Sequence, residues 1–179
     1  MRFAPFAAAF TALLLLSACA ADITCSADSA LARPHFAEQG RQAGQLRLSL
    51  SNDATKQLTE NLKFNQNTLL DNIRRALEAS NILTKEGVGG LASIEILVTD
   101  VRVRSNFSAV MFGFMAGDNR IKGEVLVRAP SGVAVQQFTI SVSYALGGLA
   151  GGQDDARMSW LYESFAKKVV EELTGTTKS

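Results

Sequence analysis

The chain has 179 residues, of which 47% are hydrophobic and 20% charged, with 3 Pro, 2 Cys and 1 His. That profile fits one globular domain and excludes a disordered, collagenous or disulfide-stapled chain. Lys plus Arg number 18 against 17 Asp plus Glu, so the basic excess of a nucleic-acid binder is missing, and one His removes most metal and acid–base schemes.

The N-terminus opens with Arg2 and an apolar run from Phe3 to Leu16. That run falls short of the roughly 20 residues a membrane-spanning helix needs and has the length of a secretory h-region. Leu16-Ser17-Ala18-Cys19 follows: a branched apolar residue, two small ones, then Cys. The tetrapeptide resembles the bacterial lipobox. The resemblance implies a signal peptide over 1–18, covalent diacylglycerol on the Cys19 thiol and an N-acyl (palmitate-type) lipid on its amine. Small residues admit the backbone to the peptidase, and acyl chains worth ~0.8 kcal/mol per buried CH2 hold the protein to a membrane. Ala18-Cys19-Ala20 also fits an ordinary A-x-A cleavage site. Ala20, where Asp would signal inner-membrane retention, implies the outer membrane with the chain facing the periplasm. Loss of Arg2 with the leader leaves equal numbers of basic and acidic residues.

Residues 19–44 are small and polar, with Pro34, Gly40 and Gly44, and read as a flexible tether of ~25–30 Å mean span holding Cys25 and a solvated His35. The periplasmic domain is expected over 45–179. Leu46, Leu48 and Leu50 alternate along 45–51, which predicts a half-buried strand. Residues 52–66 carry no clear pattern. Asn67 is the predicted cap of a helix with Leu69, Leu70, Ile73, Leu77 and Asn81 on its apolar stripe.

A strand over 93–105 changes parity between Ile94-Ile96-Val98 and Val101-Val103, so a bulge is expected at Thr99-Asp100. Residues 119–128 make the next strand, with Ile121, Val125 and Val127 inward. Ala129-Pro130-Ser131-Gly132 is a tight turn. The last strand, 133–144, points Phe138, Ile140, Val142 and Tyr144 inward and shifts parity at Gln136-Gln137. Asp154 or Asp155 then caps a helix over 156–173 whose stripe is Met158, Leu161, Phe165, Val169 and Leu173, with Gly175 just past its end. The order β-α-β-β-β-α implies an α+β two-layer sandwich: an antiparallel sheet of about four strands under two helices. Behind a lipobox, that layout resembles small envelope lipoproteins of the YajG type. More distantly it is similar to curli-secretion and transporter-auxiliary lipoproteins.

No catalytic motif stands in the chain. Gly87-Val88-Gly89-Gly90-Leu91-Ala92 matches a loose dinucleotide string but follows a helix and enters a strand, the wrong context. Asp154-Asp155 reads as a helix cap, and Asp100, Asp118 and Glu124 as partners of basic neighbours. No catalytic residue, metal site, cofactor or nucleic-acid partner is expected, and 106–117 is too short for two membrane-spanning strands of about 9–11 residues each. That loop carries Phe107, Val110, Met111, Phe112, Phe114 and Met115, and is expected beside the Gly-rich 146–152 loop. Outward parity sets Arg102, Arg104, Arg120 and Lys122 next to it. Apolar tips ringed by cations suit an envelope protein partner or, as the alternative, a lipid or hydrophobic ligand. The same residues also suit a lid folded back on the core.

Overall fold

The structure, a computed structural model, describes residues 21–24, 35–60, 63–84, 90–103, 119–144 and 154–176. Its strands are β1 (Ala21–Thr24), β2 (Ala43–Leu50), β3 (Ala92–Arg102), β4 (Asn119–Arg128) and β5 (Ala134–Tyr144). Its helices are α1 (Asn52–Glu60), α2 (Gln66–Ala79) and α3 (Asp154–Thr174). The five strands form one sheet in the order β1-β5-β4-β3-β2. The expected α+β sandwich is present: α2 and α3 pack on each other and on the sheet.

The expectation of an all-antiparallel sheet is corrected at one pair. β2 and β3 run parallel, Leu46 opposite Ile94 and Leu50 opposite Val98. Two helices, not one, lie between them and return the chain to the end from which β2 started, as a parallel pair requires. The stretch that gave no sequence pattern is α1. Ser51 opens it, its Oγ accepting from Ala54 N at 3.1 Å, while Gln57 Oε1 accepts from Val101 N at 2.8 Å. That amide lies just past the β3 bulge, which falls between Val98 and Asp100 as expected. In β5 the extra residue is Val135, one before the expected pair, because Val127 faces Gln136 and Arg128 faces Ala134.

The core is continuous. Leu69, Ile73 and Leu77 from α2 and Leu161, Phe165, Val169 and Leu173 from α3 lie over Ile94, Ile96, Ile121, Val125, Ile140 and Val142 of the sheet. Gly123 faces inward on β4, and a Cβ there would stand 3.0 Å from Phe165 Cζ, so the Phe165 ring lies directly on the strand. Tyr162 joins the two helices: its hydroxyl accepts from Asn65 N at 2.7 Å and its ring meets Phe64 edge-on at 5.8 Å. Burial pushes the Tyr162 hydroxyl above its ordinary pKa, and the Asn65 amide works against that rise.

Two expectations about α2 are corrected. Its cap is Asn65, whose side chain accepts from Thr68 N at 3.0 Å, while Asn67 lies exposed inside the first turn. Asn81 lies beyond the helix at φ 55, a left-handed position Asn tolerates, and is exposed. The α3 stripe is buried as expected, and Gly175 ends it at φ 67. The β4–β5 turn closes through Gly132 N to Ala129 O at 2.8 Å.

The tether reading of residues 19–44 is corrected where the structure describes it. β1 pairs antiparallel with β5, Ala21 opposite Val142 and Thr24 opposite Thr139. A 3-10 turn spans Ala37–Gln39, and Phe36 before it is 2% exposed. His35 is not free in solvent: its Nδ1 lies 2.8 Å from the Glu172 carbonyl, which also accepts from Gln136 Nε2 at 3.0 Å. Phe36 N donates to Gln136 Oε1 at 2.9 Å, closing a clasp between the N-terminal segment, β5 and the end of α3. One large apolar side chain, Phe36, supplies the burial that the segment's polar composition conceals. Cys25 lies outside the described residues.

Candidate functional site

At one end of the sheet β3 finishes, β4 begins and β5 finishes. Arg102 is the Cα partner of Arg120, Arg120 of Ser143, and Asn119 of Tyr144. The 104–118 segment therefore leaves β3 and returns to β4, and 145–153 leaves β5, at adjacent strand ends, which is the connectivity expected from the meander. Phe107, Val110, Met111, Phe112, Phe114, Met115, Arg104 and the 146–152 segment lie outside the described residues, as does Cys19.

The three described cations of the predicted site do come together on the sheet face turned away from the core. After the bulge Val101 is buried and Arg102 exposed; on β4 Ile121 is buried between Arg120 and exposed Lys122. Like charges directly opposite one another destabilise a strand pair. Here Arg102 and Arg120 are opposite, and Asp100 offsets them: Arg120 Nε lies 2.7 Å and its Nη2 2.5 Å from Asp100 Oδ2. Asp100 itself faces Lys122 in the register. α1 borders this end, where its exposed Asp53 and Lys56 offset each other at 3.9 Å. Asn119, 2% exposed at the root of the 104–118 segment, is the buried polar residue of this edge that the sequence did not single out; its in-phase position with Ile121 was the available signal.

A second feature is an open groove of about 880 Å³ between α2 and α3. Several of its polar groups pair within the helices: Lys168 with Glu171 at 2.9 Å, Lys167 with Glu171 at 3.8 Å, and Arg75 donates to Asn72 at 3.1 Å. Thr174 Oγ1 turns back to the Val170 carbonyl at 2.9 Å. Among the described residues no three His, Cys, Asp or Glu converge as metal ligands, and no helix is long and apolar enough to cross a membrane. What the sheet end can do is present cations to an anionic surface.

The sequence family described as a domain of unknown function, DUF4410, matches residues 26–148. No curated protein matches the chain in sequence. Among solved structures the chain is similar to PelC from Paraburkholderia phytofirmans, solved as a dodecamer: 13% identity, TM-score 0.50, covering 87% of this chain and 98% of that one. A point variant of the same dodecamer gives 10% identity and TM-score 0.50 over the same shares. A minor lipoprotein from Acinetobacter baumannii shares 10% identity at TM-score 0.42, over 74% of this chain and 94% of its own. At these identities the PelC likeness is one of fold.

Proposed function

The chain belongs to the DUF4410 family, and from that premise we propose that it is a non-enzymatic bacterial envelope lipoprotein, acylated at Cys19, that binds a protein partner or helps assemble an envelope complex. Support for the anchor is Leu16-Ser17-Ala18-Cys19 behind an apolar run too short to span a bilayer. The residue after the Cys is Ala20, which favours the outer membrane and the periplasmic side. The finer kinship, with lipoproteins of the YajG type, rests on that lipobox and on the order of elements.

One observation carries the binding role. The segment holding Phe107, Met111, Phe112, Phe114 and Met115 is rooted at strand ends next to the one from which the Gly-rich segment leaves, beside Arg102, Arg120 and Lys122. Large apolar side chains rimmed by cations are the composition of a contact surface. PelC was solved as a dodecamer, so a second copy of this chain is the first partner to test.

Photo-crosslinking from position 112 in intact cells, followed by mass spectrometry, tests the reading. The expected result is capture of another envelope protein or a second copy, abolished by Met115→Asp while Trp160 fluorescence still reports a folded domain. No protein adduct, together with lipid that co-purifies with the parent and is lost from Met115→Asp, would replace partner binding by binding of a hydrophobic ligand.

A further inference from the structure

The composition of residues 19–44 predicts a leash that lets the domain tumble below its anchor; the register of β1 argues otherwise. Ala21 pairs with Val142, and β1 is antiparallel to β5, so the chain before Ala21 heads past Val142 toward Ser143. Two peptide steps separate Cys19 from Ala21, at most about 7 Å of extended chain. Ala21 starts β1 at the end of the sheet where Arg120 pairs with Ser143 and Arg102 with Arg120, and that reach is the farthest a group on Cys19 can stand from it. β3 lies three strands from β1, about 14 Å across the sheet at ~4.8 Å per strand.

We infer that acylation of Cys19 orients the domain with this end of the sheet toward the bilayer, Arg102, Arg120 and Lys122 facing anionic lipid headgroups, so that the partner of the proposed function is met at the membrane surface. The inference rests on the reading of Cys19 as the acylated residue. It adds a fixed orientation that acylation alone does not require. Among the described residues at this end the charges include these three cations, Asp100, which is bound to Arg120, and the Asp53–Lys56 pair of α1, which offset each other; Asp22 holds the register position opposite Ser141. Arg102 and Lys122 are the exposed members. Juxtamembrane Lys and Arg are drawn to anionic headgroups within about a Debye length, and a two-residue link keeps them inside that range. The opposite end cannot share the contact. From Arg120 to Arg128 the strand runs about 27 Å at ~3.4 Å per residue, and the Ala129–Val133 turn lies beyond it.

The test uses the full chain, processed and acylated in a bacterial host, with Cys25→Ser, in vesicles of phosphatidylethanolamine and phosphatidylglycerol. A fluorophore goes on Ser141→Cys, near the anchor, or on Ser131→Cys, in the distal turn, and quenching by headgroup spin-labelled lipid is measured. The expected result is several-fold stronger quenching at 141 than at 131. Ten Gly/Ser residues inserted between Ala20 and Ala21 should make the two equal, and phosphatidylcholine in place of phosphatidylglycerol should narrow the difference. Equal quenching of the two positions in protein whose mass shows the acyl chains would overturn the fixed orientation. A difference that survives both the lipid exchange and Arg102→Gln with Lys122→Gln would overturn the role of the cations. A mass lacking the lipid would instead overturn the Cys19 reading, a failure seen before any quenching is measured.

Discussion

Gly123→Ala is the smallest change that probes the packing of the two layers. Gly123 sits on β4 between Val98 and Ile140, in the row covered by Phe165. An added methyl would stand 3.0 Å from Phe165 Cζ, 3.4 Å from its Cε2 and 3.3 Å from the Leu97 carbonyl oxygen. Phe165 is fully buried and the carbonyl is backbone, so neither yields easily. Overpacking of this kind costs about 1–3 kcal/mol. Replacing Gly by Ala stiffens the unfolded chain and returns about 0.4–1 kcal/mol. A net loss of roughly 1–2 kcal/mol follows, or ~2–8 °C in Tm for a domain of this size. Urea unfolding followed by Trp160, the one tryptophan of the chain, measures it. Phe165→Leu removes the ring edge that the methyl strikes, so in a double-mutant cycle the pair should be less destabilised than the sum by at least ~0.5 kcal/mol. Strict additivity, or a Gly123→Ala protein as stable as the parent, would refute the close approach of ring and strand.

Tyr162→Phe leaves the Asn65 amide without its acceptor and should cost about 0.5–1.5 kcal/mol near neutral pH. The hydroxyl's pKa is raised in the folded state, so the folded protein holds that proton longer than the unfolded chain. Its contribution is complete below about pH 10 and declines as pH rises through the folded pKa, so chemical denaturation across pH 9–11 should show a shallower fall for Tyr162→Phe than for the parent. Gly175→Ala should cost ~1–2 kcal/mol, because φ 67 is unfavourable for Ala and the methyl would overlap the His35 ring and the Glu38 carboxylate. Amide exchange should then quicken at Phe36, whose N–H donates to Gln136, and stay unchanged at Asn65.

How far the fold was legible depended on whether a segment's burial is written in a period. The α3 stripe repeats at helical spacing over Met158, Leu161, Phe165, Val169 and Leu173, and every member is buried. The parity change around Thr99 was equally plain because side chains alternate strictly along a strand. α1 was not legible: Ala54 and Leu58 are its inward hydrophobics, and the rest of its hold comes from Ser51 and Gln57 bonding to backbone. The direction of β2 was hidden for the same reason, since a missed helix makes a parallel return look like a hairpin. The clasp at His35 and Phe36 depends on Gln136, 100 residues away, and no local pattern encodes a contact of that range. Of the candidate surface, the outward parity of Arg102, Arg120 and Lys122 was readable, but Asp100 as the partner of Arg120 emerges only from the register across the bulge.

The connectivity concentrates chain entries and exits at one end of the sheet. β3 and β5 finish there and β4 begins there. β1, antiparallel to β5, enters there from the N-terminus. The opposite end is closed by the Ala129–Gly132 turn and by the bonds from His35 and Gln136 to the Glu172 carbonyl. β2's free edge is met at two points: Gln66 Nε2 donates to the Leu48 carbonyl at 3.1 Å, and Ala43 is bridged to Leu83. Contacts of this kind shorten the stretch of open strand on which another chain could pair. Loops placed by a rigid scaffold are where binding residues vary most freely. In this fold the strands set the roots of 104–118 and 145–153 at the β3/β4/β5 end, the end at which β1 starts with Ala21. If the proposed contact role holds, insertions in 104–118 or 145–153 should change the crosslinking pattern from position 112 while leaving the stability of the core under Phe165 intact, whereas changes at the clasp should lower stability and leave that pattern as it is.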